Sequence, residues 1–275
     1  MGAEKLTSAS GFAAVNGTNL YYEIEGTGFP LVLINGFTLD TRMWDDQVAP
    51  FSQQYQVIRY DLRGHGKSAL PTAESYAHHE DLNALLAFLG IARAHILGLS
   101  LGGAIAVDFA LAYPEITQSL ILVDVSGLDG FEWPDELNRW FAPIYSAAKD
   151  GDMELAKEHW LNTGWFTPAR EKSGVAAHLK QIVSDYSGWH FNHDNPIRNL
   201  TPSANERLEE IGAPTLVIIG ERDVPFYNHP IANSLTQRIP NAQKVIIPDV
   251  GHMSNMEDPR SFNQIVLSFL ADVKL

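Results

Sequence analysis

No cysteine occurs anywhere in the 275 residues. That removes disulfide staples, thiolate nucleophiles and cysteine-ligated zinc together. Positive charge is scarce as well, with 19 Lys and Arg against 33 Asp and Glu, a net −14 at pH 7. A surface of that sign repels phosphate backbones, so no nucleic-acid partner is expected. No stretch approaches the ~18 apolar residues of a membrane span. Met1-Gly-Ala-Glu-Lys-Leu-Thr7 has no apolar run of the kind a secretory leader needs. Gly2 raises N-myristoylation, but Leu6 stands where that signal wants Ser or Thr. No membrane association and a cytoplasmic location are therefore expected. The glycines at 64, 66, 98, 102 and 103 make neither a G-x-G-x-x-G nor a Walker pattern, which argues against a nucleotide site.

What is present is an ordered series of short apolar runs. Hydrophobic residues make up 45% of a chain long enough to build a sizeable core. Asn16-Gly17 between Phe12–Val15 and Leu20–Ile24 is a strong hairpin signal. Leu31–Ile34, Val57–Tyr60, Ala94–Leu97, Leu120–Val123, Thr215–Ile219 and Lys244–Ile247 read as interior strands of a sheet covered on both faces. Between them lie predicted helices: Tyr76 to about Leu89 with Ser75 as cap, Gly102 to Tyr113, and Asp258 to Asp272. Strands alternating with helices imply an α/β fold with a mostly parallel sheet of about eight strands. The alternation stops between about Gly127 and Glu206, a stretch holding five of the six tryptophans. The predicted division is a core of residues 1–126 and 207–275 with a helical insertion at 127–206.

Gly98-Leu-Ser-Leu-Gly102 sits between a strand and a helix, which is the context that G-x-S-x-G requires. Such a turn lifts Ser100 above the sheet edge and frees the Leu101 N–H at a helix N-terminus. A serine needs a base, and the base needs an orienting acid. His252 and Asp223 both fall in loops at the carboxyl edge of the sheet, where open α/β sheets assemble active sites. The order Ser100, Asp223, His252 matches one hydrolase architecture. Asp124, at the end of an earlier strand, is a rival acid. His78-His-Glu-Asp81 has a metal-like look, but it falls on the first turn of a predicted helix and reads as a solvated start.

Asn35-Gly-Phe37, Asp61-Leu-Arg-Gly-His-Gly-Lys-Ser68, the Ser100 turn, Gly220-Glu-Arg-Asp-Val-Pro225 and Gly251-His252 together resemble the α/β-hydrolase superfamily over nearly the whole chain. Phe37–Trp44 resembles the aryl-esterase and perhydrolase branch and the 3-oxoadipate enol-lactonases. The resemblance implies Ser100 as nucleophile, His252 as general base, Asp223 as acid, and the N–H groups of Phe37 and Leu101 as an oxyanion hole. It implies no cofactor and no metal, and a helical cap over the site. The family usually carries His-Gly where this chain has Asn35-Gly36, a position that steadies the oxyanion loop. Substrate-pocket candidates are Asn35, Trp133, Trp140, Trp160, Trp165 and Trp189. The expected activity is hydrolysis of a small to medium carboxylic ester through an acyl-enzyme. Lactone hydrolysis, carbon–carbon bond hydrolysis and a slow-turnover ligand sensor are the alternatives. A serine at position 100 excludes dehalogenase and epoxide-hydrolase chemistry, which need a carboxylate there. The partner is a small-molecule ester or lactone, and a homo-oligomer stays open.

Overall fold

Asn16 and Gly17 carry φ values of 47° and 70°. Positive φ at both central residues matches the twist of the flanking strands, and it joins β1 (Ser8–Val15) to β2 (Thr18–Glu25) in register from Val15–Thr18 to Ser8–Glu25. The computed structural model describes residues 8–274, so the reading of Gly2 and Leu6 lies outside the described residues. After the hairpin come β3 (Phe29–Ile34), α1 (Asp45–Phe51), β4 (Tyr55–Tyr60), α2 (His78–Phe88), β5 (Ala94–Leu99), α3 (Leu101–Ala112) and β6 (Thr117–Val123). With β7 (Thr215–Gly220) and β8 (Ala242–Ile247), the described residues form one eight-stranded sheet, ordered β1-β2-β4-β3-β5-β6-β7-β8. Pairing is antiparallel at β1–β2 and β2–β4 and parallel from there on. Every residue of β5 and β6 is buried, which is why their sequences are apolar runs and not alternations.

Between β6 and β7 the described chain has no strand. It folds as α4 (Asp135–Lys149), α5 (Met153–Leu161), α6 (Thr167–Arg170), α7 (Ser173–Asp185) and α8 (Trp189–Asn192). The sheet resumes with β7 (Thr215–Gly220), followed by α9 (Asn228–Arg238), β8 (Ala242–Ile247), α10 (Ser254–Glu257) and α11 (Pro259–Asp272). No described helix is long and apolar enough to cross a membrane.

Three local expectations need correction. Ser75 does not cap α2; the N-cap is Ala77 with no side-chain bond. Tyr76 is held extended instead, since its N–H donates to Pro196 O and its carbonyl accepts from Arg198 N–H. The run Lys244–Ile247 is not interior. It lies in the edge strand β8, with Ile246 48% exposed. The third helix begins at Leu101, one residue before Gly102.

Candidate active site

Ser100 closes β5 and opens α3 with φ 58° and ψ −119°, a backbone region that costs a non-glycine residue ~1–3 kcal/mol. The turn survives because its neighbours lack side chains. A Cβ at Gly98 would run into the carbonyl of Gly102, and one at Gly102 would run into that of Ile34. Backbone bonds then fix it, with Ser100 N–H donating to Val123 O at 2.9 Å and Gly103 N–H donating to Ser100 O at 2.9 Å.

The structure brings Ser100, His252 and Asp223 together. Ser100 Oγ is 2.9 Å from His252 Nε2, and His252 Nδ1 is 3.0 and 3.1 Å from the two Asp223 oxygens. All three side chains are buried. A carboxylate against Nδ1 fixes that nitrogen as the N–H, which leaves Nε2 as the acceptor toward the serine hydroxyl.

Asp124 takes no part in this chain. It is fully buried, its Oδ1 accepts the Gly220 N–H at 2.7 Å, and its Oδ2 lies 2.5 Å from Ser254 Oγ. It ties the ends of β6 and β7 to α10. Burial, and then the charge of Asp223, pushes its carboxyl well above the usual carboxylate range.

Two residues with no sequence signal hold the histidine side of the site. Glu257 accepts the N–H groups of Gly251 (2.9 Å) and Met253 (3.2 Å), gripping the loop on both sides of His252. Asn228 accepts the Trp165 indole N–H at 3.0 Å and donates to Val125 O at 2.9 Å. Both act on backbone or on a neighbouring ring, so no motif marks them.

The loop after β3 lies over the serine. A Cβ at Gly36 would stand 3.4 Å from Ser100 Cβ. Phe37 N–H has no acceptor among the described residues, and Leu101 N–H, first in α3, has no intrahelical one. These are the two donors that the resemblance assigned to an oxyanion. Asn35 is fully buried beneath the loop and does not line the cavity at the serine, which corrects its place among the pocket candidates. Its amide donates to Leu39 O at 2.6 Å and Gly36 O at 3.2 Å, so it braces the loop from behind. The expected result for Asn35→Ala is a 5- to 50-fold loss of kcat, within the ~10²-fold that a small misplacement can cost. A loss of about 10³ with unchanged melting would mean direct contact with the reacting oxygen. Asn35→His, which restores the commoner family residue, should remain active in the same assay.

A cavity of about 150 Å³ opens above Ser100, walled by Phe37, Leu101, Trp133, Phe141, Trp160 and Trp165. Three of the five tryptophans named from sequence face it. The other two do not. Trp140 packs edge-on behind Trp165, with ring centroids 5.1 Å apart, and occupies the space beside Gly164. Trp189 stacks on His193 at 4.9 Å, away from the serine. Trp160 also reaches down to the oxyanion loop, donating its indole N–H to Thr38 Oγ1 at 2.7 Å.

Among the described residues no group of His, Asp and Glu is arranged to hold a metal ion. His78 is a buried member of the first turn of α2, not a solvated one. His65 packs beside Phe37, with ring centroids 6.0 Å apart.

Residues 31–265 match the family model described as the alpha/beta hydrolase family. The chain is 32% identical to a 2-hydroxy-6-oxononadienedioate/2-hydroxy-6-oxononatrienedioate hydrolase of Burkholderia vietnamiensis, over 97% of this chain and 96% of that protein. It is 26% identical to the carboxylesterase YbfK of Bacillus subtilis, over 87% and 79% of the two chains. Among solved structures, an enol-lactonase from Burkholderia xenovorans superposes with a TM-score of 0.80 at 28% identity, covering 95% of this chain and all of that one.

Proposed function

The chain belongs to the alpha/beta hydrolase family, and from that premise we propose a serine hydrolase that cleaves small to medium carboxylic esters. Ester hydrolysis is the activity that its esterase and enol-lactonase relatives support. The observation that carries the reading is the unbroken relay from Ser100 Oγ through His252 to Asp223, beneath an aromatic-lined cavity.

Ser100 Oγ attacks the ester carbonyl while its proton passes to His252 Nε2. Asp223 holds the imidazole in place and balances the charge it gains. The carbonyl oxygen becomes an oxyanion between the N–H groups of Phe37 and Leu101. Collapse expels the alcohol, which takes the proton from His252. Water, activated by the same imidazole, then releases the acid from the acyl-serine and restores the hydroxyl. No step calls for a cofactor. Residues 127–206 act as the cap that supplies the tryptophan wall, and the enzyme works in the cytoplasm. The same geometry opens a lactone ring, and the likeness to the enol-lactonase favours that as the second reading.

Turnover on p-nitrophenyl esters from acetate to octanoate tests the reading. Many turnovers per site are expected. A single stoichiometric burst would point instead to a ligand sensor. Trp133 gives the cleanest test of the cavity, because it is 42% exposed and its indole bonds only within its own segment, to Asn138. Trp133→Ala should shift the preference along the acyl series by the ~1–3 kcal/mol of one lost apolar contact. Trp140→Ala and Trp189→Ala should leave the ratios alone. Ratios that Trp133→Ala leaves unchanged would rule that ring out of the substrate's path.

A further inference from the structure

Phe37, Leu101 and Gly127 wall a second cavity as well, of about 270 Å³, on the far side from the tryptophans. Its lining is of another kind. His65 and His78 are 1% and 4% exposed, and each has a ring nitrogen with no partner: Nε2 of His65 and Nδ1 of His78. His65 Nδ1 lies 2.9 Å from Arg63 O, and a carbonyl only accepts, so Nδ1 bears the hydrogen. The orphaned Nε2 is therefore an acceptor. Burial lowers both imidazoles, to about 4 for His65 and about 3 for His78, so neither supplies positive charge near neutrality. The His190 ring lies 4.9 Å from that of His65, and burial lowers it too.

The floor of this chamber is α3. Leu101, Ala104, Ile105 and Asp108 follow one another along a single helix face, at i, i+3, i+4 and i+7. The Asp108 carboxyl has no hydrogen-bond or ion-pair partner among the described residues. Burial, and then the charge of Asp129 in the same wall, raises its carboxyl to about 7. Among the described residues the one guanidinium in the wall, Arg198, is paired with Glu80 at 2.6 Å. Among the described residues the chamber thus offers acceptors and unpaired acid, and lacks a free cation.

We infer that this chamber receives one limb of the substrate, and that the limb ends in a protonated amine held by Asp108 with Asp129 and His65 Nε2 around it. The inference rests on the ester-hydrolase reading and narrows its substrate class. A carboxylate-ended limb is disfavoured by the same walls. Seven residues of helix separate the oxyanion donor Leu101 from Asp108, about 10 Å. Allowing ~2.8 Å for a charge-assisted hydrogen bond leaves room for roughly six bonds beyond the carbonyl.

The test compares 4-nitrophenyl esters of 6-aminohexanoate, heptanoate and adipate (the half-ester). We expect kcat/KM for the ammonium ester to exceed that for heptanoate by tenfold or more, the range of a hydrogen bond to a charged group. The adipate half-ester should fall below heptanoate. Asp108→Asn should collapse the ammonium-to-heptanoate ratio to about twofold. A ratio of one or less in the wild type, or a ratio that Asp108→Asn preserves, overturns the inference. Calorimetric binding of hexylammonium against 1-hexanol to the wild-type protein reads the same preference without a variant and without turnover. Equal affinities there overturn it as well. Loss of turnover on all three esters with hexylammonium still preferred would instead count against the hydrolase reading alone.

Discussion

Ser100→Ala should lower kcat by on the order of 10⁶, because removing the nucleophile of a triad costs about as much as removing the triad. The melting temperature should barely move. Every hydrogen bond by which Ser100 holds the fold is a backbone bond: its N–H to Val123 O, and its O from Gly103 and Ala104. Alanine keeps all of them. It also keeps the Cβ, so the strain at φ 58° is the same in both proteins. The hydroxyl's partner is His252 Nε2 at 2.9 Å, a bond made for proton transfer. An alkyl phosphonate should label one serine, found by mass spectrometry on the peptide carrying Ser100. Full activity in the alanine variant, or labelling elsewhere, would sink the assignment.

That serine was legible because its constraints are local. Gly98 is required by the carbonyl of Gly102 inside the same five residues, and only the need for Gly102 reaches beyond them, to the carbonyl of Ile34 in the neighbouring strand. The inner strands β5, β6 and β7 were legible for a similar reason, since burial on both faces leaves only apolar residues. β8 misled because Lys244-Val-Ile-Ile247 has the same composition as an inner strand. Its edge position follows from the order of the whole sheet, which no local window contains. Ser75 misled because Tyr76, next to it, is captured by a distant segment at Pro196 and Arg198.

The same division runs through the site. His252 and Asp223 stand in loops that follow recognisable strands. Glu257 and Asn228 were invisible, because they work by accepting or donating to backbone and to an indole that only the folded chain brings near. The tryptophans were recognisable as a cluster but not by facing. Which of them meets the cavity depends on how α4 and α5 pack: Trp140 and Trp160 sit on different helices, and only the second points toward Ser100. The polar chamber was the least legible part. His65, His78, Asp108 and His190 come from four separate stretches, and each alone reads as an ordinary buried or surface residue.

Asp223→Asn and Asp124→Asn remove the charge from two buried carboxylates of which only the first meets His252, and their expected effects differ by orders of magnitude. Asp223 lies 3.0 Å from His252 Nδ1 and carries the charge that balances the imidazolium formed when Ser100 gives up its proton. Its amide variant keeps an oxygen acceptor for the Val224 N–H but loses that charge, and its NH₂ can turn the ring to the wrong tautomer. The expected loss in kcat is about 10⁴, the scale set by a serine-protease triad. Asp124 makes no bond to His252, and its bonds go to Gly220 and Ser254. Because burial and Asp223 already raise its carboxyl well above the ordinary range, a neutral amide resembles the form the site favours. Asp124→Asn should therefore cost less than about tenfold in kcat, with its larger effect on the melting temperature, through the loop ends of β6, β7 and α10. Both variants should be measured on one ester, with melting followed in parallel. Equal losses in kcat would leave the acid unassigned between the two, and a larger loss in Asp124→Asn at unchanged melting would transfer the role to it.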